Sequence, residues 1–202
     1  MFLHALRRWL SCNVRAHHDD GKTLGNSERW SPEFGGRQRR TPAEPYGNRG
    51  VAAVEPLACE VLCLAARIGT EVKAFLDLGC RAIGIDLNPG PENEYVVQGD
   101  FHNLQFPPNS MDVVYTNSLD HAFDIDRIAA EVLRVLKPEG VLIIEAVKGR
   151  DQGVNPGFFE SFFWNNIEEL IGLFERAGFT VTLRAPITYP WPGETICFGA
   201  RR

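Results

Sequence analysis

The sequence lacks any apolar run long enough for a helical membrane span. Its most apolar stretch, Val141–Val147, is broken by Glu145, and a span needs about 20 apolar residues. No membrane crossing is expected. Cysteine is scarce and shows no pairing pattern: Cys12, Cys59, Cys63, Cys80 and Cys197 are odd in number and form no CxxC. That speaks against a disulfide-dense miniprotein and against a structural zinc site, and it fits reduced, structural thiols in a cytosol-like compartment. No metal site is expected. Internal repeats and long low-complexity tracts are also missing. A broad excess of positive charge is absent as well, since the net charge is −5.

What is present is ordinary globular composition, 44% hydrophobic and 23% charged over 202 residues, enough for one domain with a tail. The charge is unevenly spread. Residues 1–50 hold nine Lys and Arg against five Asp and Glu, and the remainder holds twelve against twenty-one. The body is therefore acidic, which disfavours nucleic acid as a partner. Residues 1–50 also collect Gly, Pro, Ser, Asn and Arg without periodicity and read as a flexible basic extension to a domain at 51–202. Arg7 and Arg8 interrupt any secretory apolar core, so a cytoplasmic location is expected. The alternative is an organelle transit peptide, suggested by His4, Arg7, Arg8 and Arg15 ahead of the first acid, Asp19.

From residue 60 short apolar runs alternate with helical patterns. Strands are expected at 60–65, 82–86, 95–98, 112–116 and 141–145, with late strands near 180–184 and 195–199. A helix should run from Thr70, acting as cap, to about Leu78 before Gly79. A second places Ile128, Ala129, Val132, Leu133 and Leu136 on one stripe and stops at Lys137-Pro138-Glu139-Gly140. A third places Ile167, Leu170, Ile171, Phe174 and Ala177 together before Gly178. This order implies an α/β fold with a doubly wound, mostly parallel sheet. Such sheets bind ligands beyond the carboxyl ends of their strands, at the switch point beside the first strand. Asp86 ends the second strand, where a carboxylate can accept two hydrogen bonds from a ribose diol; the plainer reading is a turn former before Asn88-Pro89-Gly90. Asp100, after the third strand, is placed to accept from an adenine amino group, with Phe101 beside it to stack; an Asp turn is the plainer reading.

The segments AIGIDLNP, QGDFHNLQFPPNSMDVVYTNSLDH, EVLRVLKPEGVLIIE and WNNIEELIGLFERAGF, in that order, resemble class I S-adenosylmethionine-dependent methyltransferases of the type 11 kind, over roughly residues 60–199. The resemblance implies a Rossmann-like fold closed by an antiparallel hairpin and S-adenosyl-L-methionine as cofactor. It assigns the ribose to Asp86, adenine to Asp100 with Phe101, and the methionine portion to Asn117 and Ser118. The family's first loop reads [DE]-x-G-x-G-x-G, and here the sequence departs. Asp77-Leu78-Gly79 lies only nine positions before Asp86, too few for a loop, a crossover helix and a strand. Cys63 lies 23 positions before it, and starting there sets Ala65, Arg67 and Gly69 at the glycine positions. Ala65 is a small replacement and Arg67 a large one. Arg67 either pairs with the cofactor's carboxylate or fills the cleft.

Methyl transfer from a sulfonium is an in-line displacement that asks mainly for orientation, so no nucleophile is required. Where the acceptor must lose a proton, Asp120 and His121 are the nearest candidates for the catalytic base; lining the pocket is the plainer role for the histidine. Phe158, Phe159, Phe162, Phe163, Trp164, Tyr189 and Trp191 either roof an apolar pocket or pack the core. No Asn-Pro-Pro-Tyr-like run follows the fourth strand, which with the acidic body favours a small-molecule acceptor over DNA. Two alternatives stand beside methyl transfer: a catalytically silent binding module of the same fold, and a nicotinamide-dependent oxidoreductase, against which the missing glycines and the late hairpin count.

Overall fold

The continuous apolar runs form the strands. A computed structural model describes residues 59–158 and 160–201; the extension expected at 1–50, the first residues of the 51–202 domain, Cys12 and Phe159 lie outside the described residues. The strands are β1 (Glu60–Leu64), β2 (Arg81–Asp86), β3 (Val96–Gln98), β4 (Met111–Thr116), β5 (Leu136–Val147), β6 (Phe179–Ile187) and β7 (Gly193–Ala200). They build one seven-stranded sheet in the order β3-β2-β1-β4-β5-β7-β6. β1 to β5 pair in parallel, while β7 runs antiparallel between β5 and β6. The expected closing hairpin is present. The strand order turns back between β1 and β4, which makes their carboxyl ends the switch point.

Among the described residues three helices cover the sheet: α1 (Thr70–Asp77), α2 (Ile125–Val135) and α3 (Ile167–Arg176). α2 and α3 start where a side chain satisfies a free amide. The Asp124 carboxylate accepts from the Arg127 N–H at 3.0 Å, and the Asn166 carbonyl accepts from the Glu169 N–H at 3.0 Å. α1 differs from expectation: its cap is Gly69 in a left-handed conformation, and Thr70 is already helical. On one sheet face, α2 and α3 bury Ile128, Val132, Leu170 and Phe174. There Phe174, Phe179 and Phe198 form a trio with centroids 5.4–6.2 Å apart. On the other face, α1 sets Val72 and Phe75 against Val61, Cys63, Val113 and Tyr115.

The Lys137–Gly140 stretch is not the free turn expected of it, because β5 begins at Leu136. Leu136 pairs with Met111 and Val141 with Val113, two steps along β4 against five along β5. The surplus is held as a bulge, a position that tolerates Pro138, which has no amide to donate. The connections 87–95 and 99–110 contain no helix. Pro89, Gly90, Pro91, Pro107 and Pro108 account for that.

Candidate functional site

The chain turns sharply on leaving β1. Ala65, Arg67 and Gly69 all have positive φ, at 51°, 46° and 80°. These are the three positions that the pattern counted from Cys63 reserves for glycine. The backbone therefore keeps a glycine-loop path although two of the three residues carry side chains, at a cost of about 1–2 kcal/mol for each left-handed L-residue. Asp77, the competing start, lies in the last turn of α1.

Several contacts seat this loop on β2. The Ala66 N–H donates to the Ile85 carbonyl at 2.9 Å and the Gly69 N–H to the Ala66 carbonyl at 2.6 Å. Gly84 leaves the space they need: a Cβ on it would stand 2.6 Å from the Ala66 Cβ and 3.0 Å from Val72 and Val96. At the end of β2, Asp86 Oδ2 accepts from the Arg67 N–H at 2.9 Å and Oδ1 from the Asn88 N–H at 2.8 Å. The structure thus joins Asp86 to the loop through the Arg67 backbone, a contact that sequence reasoning did not give. The Arg67 side chain is exposed.

Beyond β3, Asp100 is held by a residue that sequence reasoning did not single out. Asp100 Oδ1 accepts from the His102 backbone N–H and meets His102 Nδ1, both at 2.8 Å. His102 Nε2 accepts from the backbone N–H groups of Phe123 and Asp124, each at 3.2 Å. An imidazole accepting at Nε2 carries its proton on Nδ1, so it donates to Asp100. Burial pushes the Asp100 carboxyl up, but the two His102 bonds, with the charge of Arg127, outweigh it and hold the group below its ordinary value. His102 thus ties the loop after β3 to the segment that follows β4. Phe101 requires a correction. It is 7% exposed and belongs to the core cluster with Ile85 and Leu104. Residues 100–103 form a turn closed by the Asn103 N–H on the Asp100 carbonyl at 3.0 Å, and within it Asp100 stays partly exposed while Phe101 turns inward. Its ring is not available to stack on a base.

Beyond β4, Asn117 Nδ2 donates to Glu71 Oε1 at 3.3 Å. The Ser118 hydroxyl donates to Asn117 Oδ1 at 2.9 Å, and the Ser118 N–H to the Thr116 hydroxyl at 3.2 Å. Glu71 comes from the first turn of α1. Close by, the Tyr115 hydroxyl donates to Glu145 Oε2 at 3.0 Å. Burial pushes the Tyr115 phenol up, reinforced by the Glu145 charge. Burial also raises the Glu145 carboxyl; the Tyr115 bond opposes this and the Glu71 charge adds to it. Cys63, in register with Tyr115, is likewise raised by burial and then by Glu71. Carboxylates from α1 and β5 therefore gather where the pattern would set its acid at position 63. Glu71 is the acid in the first turn of α1, and the Tyr115–Glu145 pair joins strands through residues 30 positions apart.

Asp120 and His121 lie in the short 3-10 turn Leu119–His121 that follows. Asp120 is half-buried, and burial raises its carboxyl, with His121 opposing and Glu160 adding. Its backbone carbonyl accepts from the N–H groups of Ser161 and Phe162 at 2.8 and 2.9 Å, which draws the aromatic segment against the exit of β4. That segment divides. Trp164 is buried with its indole donating to the Val147 carbonyl at 2.9 Å, and Phe163 stacks on it at 5.3 Å. Phe158, Tyr189 and Trp191 are 98%, 86% and 68% exposed. The Lys148 N–H donates to the Pro192 carbonyl at 3.0 Å, pinning the β6–β7 turn beside the carboxyl end of β5. Among the described residues no cluster of His, Cys, Asp and Glu could hold a metal ion, and no helix is long and apolar enough to cross a membrane.

Comparison with known proteins bears on this arrangement. A family model described as a methyltransferase domain matches residues 62–144, the stretch from β1 to β5. A demethylmenaquinone methyltransferase of Thermobifida fusca is 38% identical over 109 residues, covering 46% of each chain. A sterol 24-C-methyltransferase of Eremothecium gossypii is 31% identical over 104 residues, covering 44% of this chain and 27% of the relative. The chain thus spans less than half the length of these relatives. Among solved structures, the 1,6-didemethyltoxoflavin-N1-methyltransferase of Burkholderia thailandensis, with bound 1,6-didemethyltoxoflavin and S-adenosylhomocysteine, superposes with a TM-score of 0.61 at 18% identity, covering 72% of each chain. The Rossmann-like topology, the late antiparallel strands and the glycine-loop path after β1 agree with these likenesses: residues 62–144 match the methyltransferase-domain family, and the fold is the Rossmann-like one of S-adenosylmethionine-dependent methyltransferases.

Proposed function

We propose that the chain transfers a methyl group from S-adenosylmethionine to a small organic acceptor. The observation that carries this reading is the loop after β1, which keeps left-handed backbone at Ala65, Arg67 and Gly69 and gives its middle N–H to Asp86. Strained backbone persists where its surroundings hold it, and it clusters at ligand sites.

The residues present fit the cofactor. Each Asp86 oxygen accepts one N–H, and a carboxylate offers about four lone-pair sites, so a ribose diol can still be bound. Both His102 bonds fall on Asp100 Oδ1, which leaves Oδ2 for the adenine amino group. Asn117 and Ser118 line the methionine end. The cofactor's ammonium and sulfonium suit the carboxylates of Glu71 and Glu145, and its carboxylate suits the Arg67 guanidinium in a bidentate pair. Ala65 lets the cofactor approach closely. Asp120, with its raised carboxyl, and His121 serve as base where the acceptor must lose a proton. The exposed rings of Phe158, Tyr189 and Trp191 flank the acceptor. Relatives named for demethylmenaquinone and sterols, and a structural neighbour holding 1,6-didemethyltoxoflavin, support a small-molecule acceptor. The acidic body disfavours nucleic acid.

One observation favours a second reading, a silent binding module: a long side chain occupies the middle glycine position. Calorimetric titration followed by a turnover assay separates the two. S-adenosylmethionine and S-adenosylhomocysteine should bind and NAD should not; binding of NAD alone would overturn the proposal, and binding without turnover on any acceptor would support the silent module. Asp86→Ala should weaken S-adenosylmethionine by about 1.5–3 kcal/mol, the scale of hydrogen bonds to a charged group. Unchanged affinity in the folded variant would remove the ribose assignment.

Binding should also depend on pH. The Glu145 carboxyl is raised, so as pH falls it takes up a proton before an ordinary glutamate does and loses the charge that faces the cationic cofactor. Affinity should therefore decline through a midpoint above the usual glutamate range. Glu145→Gln should flatten that decline, and an unchanged profile would place Glu145 outside the cofactor's reach.

A further inference from the structure

At the amino edge of the sheet, opposite the proposed cofactor site, lies a pair of thiols that the proposed reaction does not use. β1 and β2 run in register from Glu60 and Arg81, so the residues just before them, Cys59 and Cys80, are neighbours across the ladder. The Arg81 N–H donates to the Cys59 carbonyl at 2.9 Å. The Cys59 thiol donates to Cys80 Sγ at 2.7 Å. Both side chains belong to the core cluster on the α1 face. Neighbouring strands stand about 4.7–4.9 Å apart, inside the Cα separation of about 4.4–6.8 Å that a disulfide spans. We infer that Cys59 and Cys80 are a peroxide-oxidisable pair, and that their disulfide staples β1 to β2 and closes the segment carrying the 65–69 loop and α1.

The assignment of roles follows from the hydrogen bond and exposure. Because the Cys59 S–H donates to it, Cys80 is held below its ordinary thiol value, while the same contact and burial push Cys59 up. Cys80 is also the more accessible, at 5% exposure against 0%. The Cys80 thiolate attacks one oxygen of hydrogen peroxide, forming an S–O bond as the O–O bond breaks and hydroxide leaves as water. Cys59 sulfur then attacks the Cys80 sulfenic acid. An S–S bond forms, the S–O bond breaks and a second water leaves. The two thiols lose two electrons and two protons, and the peroxide takes them up. A cross-link closing a segment of this length restricts the unfolded chain.

The test uses the full chain, reduced, then treated with hydrogen peroxide and alkylated before proteolysis. The expected product is a linked pair of peptides containing Cys59 and Cys80, lighter by two hydrogens than the reduced pair, with a thermal midpoint raised by roughly 5–10 °C and restored by dithiothreitol. Cys59→Ser should abolish the link and leave a Cys80 sulfenic acid that dimedone traps, whereas Cys197→Ser should change neither readout. Both thiols found alkylated after treatment, or a link through Cys63 or Cys197 instead, would overturn the pairing. A Cys59–Cys80 link that leaves the midpoint unmoved would overturn the staple.

Discussion

Alanine at position 84 should lower thermal stability and cofactor affinity together. Gly84 lies inside β2, and its backbone needs no special conformation; the constraint is space. An added methyl would stand 2.6 Å from the Ala66 Cβ and 3.0 Å from the side chains of Val72 and Val96, closer than unbonded carbons pack. Relief requires the loop or α1 to lift from β2. Overpacking of this kind costs about 1–3 kcal/mol, which in a chain of this size lowers the midpoint by about 2–4 °C per kcal/mol. Lifting Ala66 also carries the Arg67 N–H away from Asp86. Scanning calorimetry and titration on the same preparation check both effects. A lower midpoint with unchanged affinity would show that the loop can move without reshaping the site.

A larger loss of stability, without loss of site geometry, is expected from Phe174→Ala. Phe174 is fully buried on α3, edge-on to Phe179 at 5.9 Å and tilted against Phe198 at 5.4 Å. The ring joins α3 to both β6 and β7, and residues packed around two other rings have little freedom to collapse into the void. The cost should be about 3–5 kcal/mol, a large share of the roughly 5–15 kcal/mol that holds a typical domain together. Denaturant unfolding at constant slope measures it. Because the trio lies on the face away from α1, affinity for S-adenosylmethionine in the folded variant should match that of the parent. A cost below about 1 kcal/mol would mean that α3 is held by other contacts.

Sequence reasoning located most strands because the central ones are short unbroken apolar runs, and it located α2 because Ile128, Val132 and their neighbours recur at helical spacing. Counting from Cys63 to Asp86 set the loop in a register that agrees with the left-handed residues. The misreadings are of two kinds. Local signals were overruled where tertiary pairing intervened, as when β4 drew the Lys137–Gly140 stretch into β5, and where the turn at 100–103 set Phe101 into the core. Other features are made by partners far apart in the chain. His102 finds its role through Phe123 and Asp124, Glu71 through Asn117, and Tyr115 through Glu145. The Cys59–Cys80 contact is implicit in the β1–β2 pairing, but a one-residue slip would separate the thiols, and strand patterns do not fix register that finely.

The insertion of β7 between β5 and β6 has a consequence for the order in which the chain is made. On a ribosome, β1 to β5 emerge first and can pair among themselves. The free edge of β5, with Leu142, Ile143 and Ile144, then waits for a partner that begins only at Gly193. At about 5–20 residues per second the intervening stretch takes roughly several seconds to emerge. During that interval an apolar strand edge is open to strands of neighbouring nascent chains. Changes that weaken β7 should therefore appear first as a lower yield of soluble protein during expression, before any defect can be measured in the molecules that complete the sheet.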